Sequence, residues 1–273
     1  MRLGLVSDLH LTLDPARRAS WHNEYDFAGL PQRIDAARAS FEHVGVDAVI
    51  ACGDLTHAGD EPSTRAVLGR LSAGSSRPVL VVAGNHDMLE RADQLERCLP
   101  DGCGCEVLAR RSLEVDGRRV TGVPVERDPE AGTSRWTGGA EPVTNGSLTV
   151  VASHFPVMSR SRRFAEAGLR YPRGLANRAE LFERLSGGAP VVVLCGHLHA
   201  RESHASGNVL QLCTGALVEA PYEAAIIEVT GSDEGARVHR HAESLGPPPA
   251  GPDPVLAPAE ESWIFDDGAW RTG

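Results

Sequence analysis

"VVVLCGHLHA", residues 191–200, runs five apolar residues into a glycine and then sets two histidines one residue apart. The apolar run has the length and composition of a strand buried on both faces. Such a strand normally ends in turn formers; this one ends in imidazoles. Working outward, the same pattern recurs four times. "RLGLVSDLH" (2–10) runs out at Asp8 and His10, and "VDAVIACGDLTH" (46–57) at Asp54. "RPVLVVAGNHD" (77–87) delivers Asn85, His86 and Asp87, and "SLTVVASHFP" (147–156) delivers His154. Five apolar strands thus carry Asp, His or Asn at their carboxyl ends, the edge at which open α/β sheets bind ligands.

Between these strands the spacing predicts helices over 31–44, 61–73, 89–98 and 177–186, with prolines near the starts of the first two. Strand–helix alternation over the first hundred residues predicts an α/β fold with a parallel sheet. Residues 106–151 read as short strands with an Asp-Gly turn, and "RESHASGNVLQLCTG" and "EAAIIEVTG" as hairpin strands. There is no internal repeat. The catalytic domain is expected over 1–245. Residues 246–258, "GPPPAGPDPVLAP", read as a Pro-rich linker, and "ESWIFDDGAWRTG" as a tail that folds back as a hairpin or binds a partner. A tail of that kind would be removable at modest cost in activity.

The chain has 273 residues and a net charge of −10, with 27 basic and 37 acidic side chains. That balance argues against a protein whose main task is gripping nucleic-acid backbone. The apolar runs reach only about seven residues, far short of the roughly 20 that span a bilayer, and the N-terminus does not resemble a signal peptide. Six cysteines, two within strand-like runs, look like reduced thiols and make the cytoplasm the expected location.

Taken singly, each strand-end residue has an ordinary explanation, as a turn former, a helix cap or a hydrogen-bonded strand end. Coincidence at five strand ends selects a metal site instead. Asp8, His10, Asp54, Asn85, His154, His197 and His199 offer imidazoles, carboxylates and one amide oxygen, with no thiolate. Such donors suit Mn, Fe or Zn held for catalysis rather than a structural zinc. Seven ligands are too many for one tetrahedral ion; two ions about 4 Å apart sharing a carboxylate would use them all. The residues alone do not say which carboxylate bridges.

"DLH", "GDLTH", "GNHD", "SHFP" and "GHLH", in that order over residues 8–199, resemble the signature blocks of the calcineurin-like metallophosphoesterase superfamily. The resemblance implies a four-layer α/β/β/α sandwich of two mixed sheets with a dinuclear centre at the strand ends. It implies that Asp8, His10, Asp54 and His199 hold one ion, and that Asp54 bridges to a second completed by Asn85, His154 and His197. It makes His86 the histidine that contacts the scissile phosphate and Asp87 the residue that orients it. The expected chemistry is in-line attack by metal-bound hydroxide on a small phosphoester, with His86 stabilising the transition state or protonating the leaving oxygen. Within the superfamily the chain is most similar to bacterial cyclic-nucleotide-type phosphodiesterases. The alternatives are a phosphomonoesterase or nucleotide pyrophosphohydrolase on the same site. A non-catalytic interaction module would have lost ligands that this chain retains. The expected partner is a small-molecule phosphoester, with no membrane or nucleic acid, and a homodimer is compatible with the chain.

Other residues are read more plainly. Cys52 and Cys195 read as core thiols, and Cys98, Cys103 and Cys105 as part of a loop. His57 reads as a solvated loop histidine with the site wall as the alternative, and "WHNEYDF" (21–27) as a locally packed loop whose Trp21, Asn23 or Tyr25 could instead meet substrate. "SRSRRF" (159–164) and "RYPRG" (170–174) read as solvated faces, with a phosphate grip as the alternative. His204, His239 and His241 read as surface strand residues.

Overall fold

Alternate side chains along each apolar strand find a buried layer on either side. In β1 (Arg2–Val6), Leu3 and Leu5 face the layer between two sheets while Val6 faces a layer of helices. In β10 (Val191–Cys195), Val192 and Leu194 face that same central layer, and Val191, Val193 and Cys195 an outer one. Period-two burial on both faces is why these runs are continuously apolar. The computed structural model describes all residues except 15, 17–24, 100–101, 110, 129, 139–146, 232–234, 250 and 252.

An eight-stranded sheet has the order β16 (Ala269–Thr272), β15 (Glu260–Asp266), β14 (Arg237–Ser244), β13 (Glu223–Thr230), β1, β2 (Ala48–Cys52), β3 (Val79–Val82), β4 (Cys105–Val107). β1 to β4 run parallel, and β13 turns the sheet antiparallel beside β1. The six-stranded sheet has the order β11 (Glu202–Ser206), β12 (Val209–Cys213), β10, β9 (Thr149–Ala152), β6 (Arg118–Gly122), β5 (Ser112–Val115). Its strands β12, β10, β9 and β6 are parallel, with antiparallel edges. β5 and β6 are joined at Asp116-Gly117, both with positive φ, as an Asp-Gly hairpin turn requires. β7 (Val125–Asp128) and β8 (Thr133–Trp136) form a separate hairpin.

Helices α1 (Leu30–Val44), α2 (Glu61–Ser72) and α3 (Gln94–Arg97) cover the outer face of the first sheet. α4 (Ser161–Glu166) and α5 (Arg178–Leu185) cover the outer face of the second, through Phe164, Leu181 and Leu185. The result is the expected four-layer α/β/β/α sandwich of two mixed sheets. α2 starts where Asp60 accepts from Ser63 N at 3.0 Å, and α1 stops at Gly45, whose φ is 71°.

The chain end belongs to the central layer. Trp263, Phe265 and Trp270 of the β15–β16 hairpin are buried between the sheets. Trp270 donates its indole N–H to the Asn208 carbonyl at 2.9 Å, so β16 fastens the first sheet to the β11–β12 turn of the second. The chain end thus packs back on the domain as a hairpin, and its removal would expose part of this layer. Trp270→Ala deletes a large buried side chain and strands the Asn208 carbonyl. It should cost about 3–5 kcal/mol, read as a fall in the chemical-denaturation midpoint at unchanged slope.

Candidate metal centre

The parallel strands of both sheets end at one edge of the sandwich. β1, β2 and β3 from one sheet and β9 and β10 from the other deliver all seven candidate ligands there. The backbone is bent hard at this edge. Asp8, His10, Asp54, His197 and His199 all lie in the left-handed region, with φ between 48° and 67°. Non-glycine residues adopt it at a cost, and such strain gathers at functional sites. Glycine has two different duties here. Gly53 itself takes a φ of 80°, whereas a Cβ on Gly196 would lie 1.7 Å from Ser7 Oγ, so Gly196 lets β10 pass close to β1. His197 N donates to Asp8 Oδ2 at 2.9 Å, which ties the two sheets together, and Asp8 N donates to the Gly53 carbonyl at 3.1 Å, which joins the ends of neighbouring β1 and β2.

Ring orientations follow from the partner of each imidazole's outer nitrogen. A carbonyl oxygen can only accept, so the nitrogen facing it carries a proton. His154 Nδ1 donates to the Cys52 carbonyl at 2.8 Å, His197 Nε2 to the Arg173 carbonyl at 2.6 Å, and His199 Nδ1 to Glu219. In the neutral rings the inner nitrogens therefore present lone pairs. These face other acceptors: His154 Nε2 lies 3.2 Å from His197 Nδ1, 3.2 Å from Asn85 Oδ1 and 3.3 Å from Asp54 Oδ2. His199 Nε2 lies 3.4 Å from His10 Nε2 and 3.2 Å from Asp8 Oδ1, a buried oxygen with no hydrogen-bond partner among the described residues. Lone pairs turned on one another repel unless positive charge sits among them. The donor set fits cations: three groups have ligand atoms within 4.8 Å of each other, Asp8, His10 and His199; Asp54, His154 and His197; and, sharing His10 with the first, His10, His57 and His86. Asp54 Oδ2 lies between the first two groups, 3.7 Å from His10 Nε2 and 3.3 Å from His154 Nε2.

The electrostatics agree. Burial opposes charge on His154, but Asp54 outweighs it and lifts the imidazole to about 9. Burial likewise opposes charge on His199, and Asp8 and Glu219 overcome it. Burial and then the charge on His154 push His197 down to about 4, and burial and then His86 push His10 well below its ordinary value. Despite its burial, Asp54 is held well below the usual carboxylate range by His154 and His86. Carboxylates this deeply buried stay ionised beside positive charge and N–H donors, here also the His86 main-chain N–H to Asp54 and the His197 main-chain N–H to Asp8.

His86 sits against the first group, its ring centroid 4.6 Å from that of His10. Its Nδ1 donates to the His57 carbonyl at 2.7 Å, and its ring stacks on that of His57. That carbonyl holds the ring by its outer nitrogen. Asp87 accepts from Leu55 N, Thr56 N, Thr56 Oγ1 and Gly84 N at 2.9 to 3.2 Å, so it ties the loop after β2 to the loop after β3. Burial and then Asp54 raise its carboxyl to about 6. His57, expected in solvent, is buried.

The groups open into a cleft of about 910 Å³. Three further parts of its wall lie outside the strand-end blocks, one of them, Tyr25, in the stretch whose aromatic residues are the alternatives for meeting substrate. Glu219 orients His199, Tyr25 stacks on His199 with ring centroids 5.7 Å apart, and Pro247, Pro248 and Pro249 bring the Pro-rich segment to the cleft. Of "WHNEYDF", Trp21 and Asn23 lie outside the described residues. Arg170 and Arg173 line the cleft, while Arg160 pairs with buried Glu202. All six cysteines are free. Cys98 and Cys105 are buried, and Cys105 opens β4 rather than lying in a loop. His204, His239 and His241 lie on β11 and β14. Among the described residues, no helix is long and apolar enough to cross a membrane.

A family model described as the calcineurin-like phosphoesterase superfamily domain matches residues 1–232. No curated protein matches the chain significantly. Among solved structures, a dimetal phosphatase from Danio rerio is similar with a TM-score of 0.63 at 14% identity, covering 89% of this chain and 96% of that one. The TT1561 protein of Thermus thermophilus is similar with a TM-score of 0.50 at 14% identity, covering 83% and 93%. At these identities the likeness speaks for the fold alone.

Asp87→Ala would leave three buried backbone N–H groups without their acceptor. At about 1–3 kcal/mol each, the loss should lower the thermal midpoint by roughly 5–15 °C, measured by calorimetry. An unchanged midpoint would mean that this carboxylate does not join the two loops.

Proposed function

The chain belongs to the calcineurin-like phosphoesterase superfamily and is a metallophosphoesterase, and from that premise we propose a dinuclear metal-dependent phosphohydrolase that cleaves a small phosphodiester such as a cyclic nucleotide. The observation that carries this reading is the pair of inward-facing acceptor groups that meet at Asp54. In it, Asp8, His10, Asp54 and His199 hold one ion, and Asp54, Asn85, His154 and His197 the other. Divalent ions such as Mn, Fe or Zn would neutralise phosphoryl charge there and lower the pKa of water toward about 7.

The chain's own groups supply the rest. The His57 carbonyl fixes the His86 ring, whose Nε2 is the atom that meets substrate. In its protonated form this nitrogen donates to a phosphoryl oxygen, or passes its proton to the leaving oxygen as the ester bond breaks. Glu219, the Cys52 carbonyl and the Arg173 carbonyl hold three ligand rings in one tautomer, the role that outer partners play around metal-binding histidines. Tyr25 and the prolines keep part of the cleft wall apolar, which limits competing water. A cleft of about 910 Å³ has room for a second ester group beyond the phosphoryl group, which favours a diester. A monoesterase or pyrophosphohydrolase would use the same groups. Free thiols in a chain of this composition favour the cytoplasm.

Comparing kcat/KM on p-nitrophenyl phosphate and bis-p-nitrophenyl phosphate, with Mn supplied, tests the diester preference. Faster turnover of the monoester would replace it with phosphatase chemistry. His86→Ala should keep two equivalents of metal while kcat falls about 10²–10⁴-fold; loss of metal would make His86 a ligand. Asp54→Ala should retain at most one weakly held ion by elemental analysis. Two tightly bound ions in that variant would rule out a bridging carboxylate.

A further inference from the structure

A cleft of about 910 Å³ lies near the upper end of small-molecule sites, roughly 300–1,000 Å³. A phosphoryl group fills a small part of it, so most of the space serves the rest of the substrate. The wall is not uniform. The Pro-rich segment contributes Pro247, Pro248, Pro249 and Pro254, which have no N–H to donate. The loop between α4 and α5 contributes Arg170 and Arg173.

In this chain of net charge −10, guanidinium groups near acidic side chains are generally paired. Arg33 meets Asp26 at 2.9 Å, Arg201 meets Glu223 at 3.0 Å and Arg240 meets Glu261 at 2.8 Å. Among the described residues, the side chains of Arg170 and Arg173 have neither an ion pair nor a hydrogen bond. Unpaired arginines on an open surface are ordinary, as at Arg77 and Arg184. These two differ because they line the same cleft as the acceptor groups. Their loop is also held there, since the Arg173 carbonyl accepts from His197 Nε2 at 2.6 Å. Two exposed cations thus line the cleft into which the acceptor groups open, on a segment tied to His197 through the Arg173 main-chain carbonyl.

Building on the phosphoester reading, we infer that Arg170 and Arg173 form a second anion subsite, and that within the phosphoester class the substrate carries a further anionic group, carboxylate or phosphate, which a simple cyclic nucleotide lacks. The guanidinium fork suits either group. The apolar strap then packs the part of the substrate between the two charges. This assigns a recognition role to two residues of a sequence stretch that reads as solvated surface.

The test uses non-hydrolysable probes on the Mn-loaded full chain: phenylphosphonate and its 3-carboxy and 4-carboxy derivatives, titrated by calorimetry. The wild type should bind at least one carboxy derivative about tenfold more tightly than phenylphosphonate, as two exposed charge-assisted contacts would supply. In Arg170→Gln/Arg173→Gln that ratio should fall to about one. In the control Arg77→Gln/Arg184→Gln it should stay near ten. Equal wild-type affinity for all three probes, or a ratio that survives in the double variant, overturns the subsite. If phenylphosphonate itself fails to bind and no phosphoester is hydrolysed, the phosphoester reading falls and the subsite falls with it. Binding of phenylphosphonate without a carboxylate advantage removes the subsite alone.

Discussion

Everything at the functional edge follows from lone pairs turned toward one another. His154, His197 and His199 each spend their outer nitrogen on a fixed acceptor, so their inner nitrogens face Asp54, Asn85, Asp8 and each other at 3.2 to 3.4 Å. Neutral rings turned this way leave acceptor facing acceptor at most of these contacts. Positive charge at the centre satisfies them, and the raised affinity of His154 and His199 for protons expresses the same demand. The cluster is built to hold positive charge, which makes it a candidate cage for cations.

Building the cage requires backbone conformations that sequences avoid. Left-handed non-glycine residues cost of order 1–3 kcal/mol each, and five of the candidate ligands adopt that region. The expense is tolerable because each strained residue follows a strand locked in a buried sheet, and because cross-sheet bonds such as His197 N to Asp8 Oδ2 leave the loops no alternative. Asp87 serves the same end from below the site, collecting N–H groups from two loops. Two independent sheets converge with little tolerance, and the rigidity of their shared core is what sets it.

The last residues of the chain unite core and cleft. Arg201 N donates to the Pro254 carbonyl at 3.0 Å and its side chain to Ala257 O at 2.9 Å, which holds the Pro-rich segment against the second sheet. Beyond it, β15 and β16 carry three aromatic side chains into the layer between the sheets. Anchored at that end, the prolines become a wall of the cleft. A segment that composition alone would describe as a spacer is structural on one side and faces the cleft on the other.

Much of this was legible in the chain itself. Apolar runs with period-two burial and intervening amphipathic helices specify the alternation of elements. Five strand ends bearing Asp, Asn or His announce where polar chemistry gathers, because a buried strand has no other reason to stop in imidazoles. Local rules read these features, and local rules are sufficient for them. They could not reveal that His57 is buried and offers its carbonyl to His86, that Glu219 holds His199, or that Arg170 and Arg173 stand beside the same groups. Those residues carry no spacing signal. Their partners lie 20 to 29 positions away, and only the closing of two sheets on one another brings them into contact. The sequence by itself determined which residues could hold charge; the tertiary structure decided which of them face inward, since facing is a property of the packed layers.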